Sequence, residues 1–160
     1  MRLVLAAVGK LKDGAERELF SRYADRIQAA GRSVGLSAID LREIPEGKSQ
    51  SREARMADEA ERLIAKCNDA SVRILMDERG KAITSLQLAE FVRGWRDRGE
   101  SGVAFLVGGP DGHGEPARKA ATVSLSLGPM TLPHGLARIV LAEQLYRTAT
   151  ILAGHPYHRA

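Results

Sequence analysis

The stretch Val103-Ala104-Phe105-Leu106-Val107-Gly108-Gly109-Pro110-Asp111-Gly112-His113-Gly114-Glu115-Pro116 decides how this chain folds. Its first five residues are continuously apolar, the pattern of a parallel strand buried on both faces. The strand runs directly into a loop containing four glycines, more than a tight turn needs. Glycine there gives a ligand close access to backbone donors and tolerates dihedral angles that other residues resist. Loops at the carboxyl ends of parallel strands are where open α/β sheets bind their ligands.

Working outward, the same alternation of short β-rich runs and longer helical patterns covers the whole chain. Strands are expected at Leu3–Val8, Leu36–Ile44, Val72–Met76 and Val123–Leu127, each bounded by Gly, Pro, Asp or Ser. The interrupted pattern of Leu36–Ile44 predicts a strand with one wetter side, at a sheet edge. Leu19, Tyr23 and Ile27 mark a helix over Ala15–Ala30, and Met56, Ala60, Leu63, Ile64 and Cys67 line one side of a helix over Ser51–Cys67. Thr84 and Gln87 form a capping box that opens a helix to about Arg98, on which Trp95 reads as a core residue. The last helix, Leu136–Ala153, is apolar on more than one side, which predicts burial against both the sheet and something else, for which a second subunit would suffice. No linker or repeat divides the chain. The pattern is that of one α/β domain, residues 1–160, around a mainly parallel sheet.

Several chemistries are excluded or weakened. Cys67 has no second cysteine to pair with in the chain, and its place in a charge-rich helix does not suit a nucleophile. Nowhere does an apolar run reach membrane-spanning length, and Leu3–Val8 is too short for a secretory signal, so a cytoplasmic protein is expected. The phosphate-binding Gly-x-x-x-x-Gly-Lys-Ser/Thr and the dinucleotide Gly-x-Gly-x-x-Gly are both missing, which weakens nucleotide hydrolysis and NAD chemistry. His113, His134, His155 and His158 lack metal-ligand spacing, so no metal is expected. His134 reads as a helix cap or core residue rather than a base. The net charge of +4, carried largely by arginine, permits a polyanionic partner without requiring one.

Two further segments stand out. Leu127-Gly128-Pro129-Met130-Thr131-Leu132-Pro133-His134-Gly135 follows a strand and opens the last helix, with Leu127, Met130 and Leu132 able to wall an adenine-like group. The chain then ends in Gly154-His155-Pro156-Tyr157-His158-Arg159-Ala160, too rich in aromatic, imidazole and guanidinium groups for a dispensable end.

Taken in order, Val8-Gly9-Lys10, Val107-Gly108-Gly109-Pro110-Asp111-Gly112, Met130-Thr131-Leu132-Pro133-His134, Glu143-Gln144-Leu145-Tyr146-Arg147 and His155-Pro156-Tyr157-His158 make the chain resemble the RlmH (YbeA) family of the SPOUT superfamily. That resemblance implies an α/β knot with a C-terminal trefoil, an exception to the general absence of knots. It implies an S-adenosylmethionine-dependent methyltransferase acting at N3 of a pseudouridine in 23S ribosomal RNA. It also implies a homodimer with its sites at the interface, reading the large subunit or the assembled ribosome. Cofactor contacts carry over to Met76, Gly108, Gly109, Leu127, Gly128, Pro129, Met130, Thr131 and Leu132. Met76 stands where the family usually has Leu, and Leu127–Met130 departs from the usual Leu-Ser-x-Leu or Phe-Ser-x-Met. His155, Tyr157 or His158 is then expected to accept the proton from the target nitrogen, or to stabilise the ring's developing charge, with Arg147 or Arg159 holding a phosphate. A SPOUT enzyme acting on another nucleotide would share the two loops, whereas a non-enzymatic RNA-binding protein would not need them.

Overall fold

The computed structural model describes residues 1–158, with His158 described in its backbone only. Five strands form one all-parallel sheet: β1 (Arg2–Val8), β2 (Ile39–Ile44), β3 (Val72–Ala82), β4 (Gly102–Val107) and β5 (Val123–Ser126), in the order β2-β1-β4-β3-β5. Strand alternation divides the core into two layers. Leu3, Leu5, Val103, Phe105, Val72 and Ile74 face the helices α1 (Ala15–Gly31), α3 (Ser85–Asp97) and α5 (His134–Leu152). Val4, Ala6, Ala104, Leu106 and Leu75 face α2 (Arg52–Ala65) and α4 (Glu115–Ala120). Each inner strand is apolar on both faces because both are covered, as the continuous runs imply.

Local chemistry sets the element ends. Ser51 caps α2 by accepting from the Ala54 amide at 3.3 Å, and the expected capping box at Thr84 and Gln87 opens α3. Trp95 is buried on α3 against Phe91, their centroids 5.6 Å apart, in the core role read from the sequence. β2 lies at a sheet edge, as its interrupted pattern predicts, but begins at Ile39 rather than Leu36. The Leu36 and Ser37 amides instead donate to the carbonyls of Gly31 and Met1. β5, at the other edge, is buried only at Leu125, in keeping with the serines that interrupt Val123–Ser126.

β3 departs most from expectation. It pairs with β5 as far as Met76, but both Met76 and Lys81 stand opposite Leu125. Asp77–Gly80 therefore arches out of the sheet before the strand resumes. Gly80 is required at the foot of the arch, because a Cβ there would lie 2.5 Å from the Leu125 carbonyl carbon. The charged run Asp77-Glu78-Arg79 reads as a loop in sequence, which hides the return of Lys81 and Ala82 to the sheet.

A buried long-range tie is made by Arg138, on α5 and only 2% exposed. Its guanidinium donates to the carbonyls of Val8 at 2.6 Å and Gly9 at 2.9 Å and to Glu43 Oε1 at 2.9 Å. Glu43 in turn accepts from the Leu11 amide at 2.6 Å. One buried cation thus fixes α5 against the carboxyl ends of β1 and β2.

Candidate active site

The carboxyl ends of β3, β4 and β5 open into two adjoining cavities that share Met76, Ser126, Leu127 and Gly128. One, of about 470 Å³, is mostly apolar, walled by Ile83, Leu88, Phe105, Leu125, Val140 and Leu141, with Thr84, Ser85 and Gln144 as its polar groups. The other, of about 400 Å³, is bounded by Gly108–His113, by Asp77 and Arg118, and by Met130–Leu132. Each falls in the size range of small-molecule sites, roughly 300–1,000 Å³, and the pair sits where open parallel sheets bind ligands. Eight of the nine residues expected to hold a cofactor line one or both lobes: Met76, Gly108, Gly109, Leu127, Gly128, Met130, Thr131 and Leu132. Pro129 lies within the same loop, exposed beside them.

The loops are fixed rather than slack. Asp111 pairs with Arg55 at 2.9 Å and Arg52 at 3.5 Å, pinning the outer side of the glycine loop to α2. The Arg55 guanidinium holds the Asp111 carboxyl below its usual range. Gly109 packs over Val8 and Glu59, where a Cβ would meet Glu59 Oε2 at 3.0 Å. Burial would raise the Asp77 carboxyl, but the Arg79 amide and Arg118 outweigh it and hold it low. In the second loop Gly128 has φ 126°, a conformation that side chains resist, and its amide and carbonyl both bond to Ser126 Oγ, at 3.1 and 3.0 Å.

His134 does not cap α5. Pro133 occupies the cap position without a side-chain bond, and His134, the first helical residue, lines the polar lobe. His113 is the site residue whose role the sequence did not disclose. It is 4% exposed and its Nε2 donates to the Met76 carbonyl at 2.9 Å. Burial pushes its pKa down, against the pull of the Met76 carbonyl and Asp77, so the ring is neutral with the hydrogen on Nε2. Cys67 lies outside both cavity linings. It is buried and its thiol is pushed up to about 11 by desolvation, so it is no nucleophile.

The described part of the tail includes Tyr157. A short 3-10 turn, Pro156–His158, returns it to α5, where its ring stacks at a tilt on Tyr146 (4.5 Å) and under the Arg147 guanidinium (5.1 Å). Its hydroxyl donates to Glu143 Oε1 at 3.3 Å, the same oxygen that accepts from Arg147 at 2.7 Å. His155 Nδ1 accepts from the Tyr157 amide at 3.2 Å. Arg147, His155 and Tyr157 are thus brought close to one another, yet none of them lines either lobe. The His158 side chain and Arg159 lie outside the described residues. A line of hydrogen bonds does reach the apolar lobe: Ser85 Oγ to Gln144 Oε1 at 2.6 Å, then Gln144 Nε2 to Glu143 at 2.7 Å.

Among the described residues no cluster of three or more His, Cys, Asp or Glu is placed to hold a metal. Among them, too, no helix is long and apolar enough to cross a membrane.

A family model described as a predicted SPOUT methyltransferase matches residues 1–158. Among curated proteins, a ribosomal RNA large subunit methyltransferase H of Bradyrhizobium sp. (strain ORS 278) is 46% identical over 160 residues, covering 100% of this chain and 99% of the relative. A protein of the same name from Brucella anthropi is 48% identical, covering 100% of both. Among solved structures, TrmJ from Z. mobilis ZM4 matches with TM-score 0.51 at 15% identity, over 92% of this chain and 70% of that one. At that identity the likeness is one of fold alone.

Proposed function

The chain belongs to the SPOUT methyltransferase family, and we propose that it transfers a methyl group from S-adenosylmethionine to N3 of a pseudouridine in 23S ribosomal RNA. One observation carries the reading. The residues that the family resemblance assigns to the cofactor, from three loops far apart in sequence, converge on one two-lobed cavity.

The donor set fits the cofactor. Leu88, Phe105, Val140 and Leu141 offer a flat apolar ring such as adenine a dry wall, and Thr84, Ser85 and Gln144 supply polar partners for its edge. The glycine loop offers the polar end of the molecule an approach to backbone groups. When bound, S-adenosylmethionine supplies a methyl group already activated on a sulfonium. What remains for the chain is to orient the target ring and to manage the proton on its nitrogen.

The tail groups divide that work. Burial and the Glu143 carboxylate hold the Tyr157 phenol above its ordinary pKa, so it stays protonated and, on turning from Glu143, serves as a hydrogen-bond donor to developing ring charge. The His155 Nδ1 already accepts the Tyr157 amide, so in the neutral ring its other nitrogen carries the hydrogen. His158 is the remaining proton acceptor, and Arg147 holds a substrate phosphate. Because the tail lies off its own cavity, the working unit is a homodimer in which the half-open stripe of α5, Leu136, Val140, Gln144, Arg147 and Ile151, meets its counterpart. Membership of the SPOUT family supports a knotted path for the C-terminal part of the chain. The substrate places the enzyme in the cytoplasm, on the large subunit or assembled ribosome.

Labelled S-adenosylmethionine, offered with pseudouridylated and unmodified ribosomes and followed by mapping, is expected to label the pseudouridylated form alone. Absence of label in both refutes the assignment. Alanine at Tyr157 and His158 is expected to abolish single-turnover transfer, and unchanged transfer refutes the tail's role. A monomer at micromolar concentration in native mass spectrometry refutes the dimer.

A further inference from the structure

We infer that His113 is a positioning residue of the cofactor site, tying the end of β3 to the glycine loop so that two walls of the cavity hold their spacing before a ligand arrives. The inference rests on the cofactor assignment above. His113 sits at the far end of the loop that begins at Gly108, and its Nε2–H reaches back to the Met76 carbonyl at 2.9 Å. Its ring also backs Gly108: a Cβ on that glycine would lie 3.2 Å from His113 Cε1. One side chain thus touches both Met76 and Gly108, and both line the polar lobe. Among the described residues no other side chain hydrogen-bonds the Met76 carbonyl. The loop's middle is also held by Asp111, but its partners Arg52 and Arg55 run to α2; towards β3, the pairing of Val107 with Met76 holds only the start of the loop, and Arg118 with Asp77 only the helix after it.

The bond also consumes polar capacity. With its carbonyl direction fixed toward His113, Met76 meets a ligand chiefly through its thioether side chain, which suits contact with an aromatic ring. Fixing the walls in advance lowers the ordering cost of binding, an effect that shows in affinity more than in the rate once bound.

The test compares three variants of the full chain by calorimetric titration with S-adenosylmethionine and by steady-state methyl transfer. His113→Leu fills space without a donor, and His113→Gln places an amide N–H near the position of Nε2. Ile27→Val loosens α1, remote from the site, as a control for general destabilisation. Expected are a tenfold or larger rise in Kd and in the cofactor KM for His113→Leu, with kcat at saturation within about threefold. His113→Gln is expected to restore Kd to within about threefold of the parent, and Ile27→Val to leave it unchanged. Equal affinity of His113→Leu and parent overturns the inference, as does a His113→Gln variant that binds as weakly as His113→Leu. If His113→Leu does not fold, the comparison of His113→Gln with His113→Asn decides, the shorter amide being expected to bind at least tenfold more weakly; equal affinities overturn the inference. A parent that fails to bind S-adenosylmethionine refutes the cofactor assignment instead, so the two failures are distinguishable.

Discussion

Replacing Arg138 with Met keeps most of the side chain's length while deleting the charge that joins α5 to β1 and β2. Its guanidinium gives up three hydrogen bonds, at 2.6, 2.9 and 2.9 Å, two of them to backbone carbonyls. Removing one partner of a buried pair costs about 3–5 kcal/mol. Glu43 is not left bare, since it keeps the Leu11 amide at 2.6 Å and has Arg17 at 3.7 Å. The lower end, about 3 kcal/mol, is therefore expected. For a domain of this size each kcal/mol moves the melting temperature by about 2–4 °C, so the midpoint should fall by about 6–12 °C. Glu43→Gln, which retains an acceptor, should cost less. The double variant should cost less than the sum of the two singles, by about 1–3 kcal/mol, because each single change already spoils the shared contact. Thermal and urea unfolding of the four proteins measures the cycle. Additivity within about 0.5 kcal/mol, or a midpoint for Arg138→Met within 2 °C of the parent, would refute the reasoning.

Gly128→Ala should weaken S-adenosylmethionine binding at least fivefold in calorimetry, because φ 126° is closed to alanine and the Ser126 hydroxyl contacts depend on that backbone. His113 has a folded-state pKa below its ordinary 6.5, so folding favours the neutral ring. Its contribution to stability is full above that value and is lost as pH falls through the folded-state pKa, with Asp77 and Arg118 the charges acting on it. Melting temperatures between pH 7.5 and 5 should therefore fall more steeply for the parent than for His113→Gln, and parallel curves would contradict this. Cys67 should resist a thiol reagent in the native protein at neutral pH and react only as fast as the chain opens, a rate that denaturant should raise.

The inner strands were legible because burial on both faces writes itself as an uninterrupted apolar run, as in Val103–Val107. Helix starts were legible where the cap is a side chain, as at Thr84. Their converse explains the misses. Pro133 takes the cap position of α5 without a side-chain bond, so the cap-or-core reading of His134 misses that it is a wall of the cavity. Lys81 and Ala82 carry no strand signal; they join the sheet through pairing with Leu125 and Ser126 of β5. At the site, glycine density pointed to the right loops, but His113 is an isolated residue whose partner is a carbonyl 37 positions away. A backbone acceptor has no letter in the sequence. The tail was recognisable by composition, whereas its packing on Tyr146 and Glu143 depends on the turn at Gly154, φ 67°.

The arch of β3 also dictates an order of assembly. Leu125 is gripped between Met76 and Lys81, so its seat does not exist until Val72–Ala82 has taken shape around it. The last strand is therefore a late arrival in refolding, docking onto a template built from earlier parts of the chain. In pulse-labelled hydrogen exchange, amides of Val123–Ser126 should gain protection after those of β1 and β4. A protein released from the ribosome before residue 126 would display an open groove along β3, an edge to which other chains adhere.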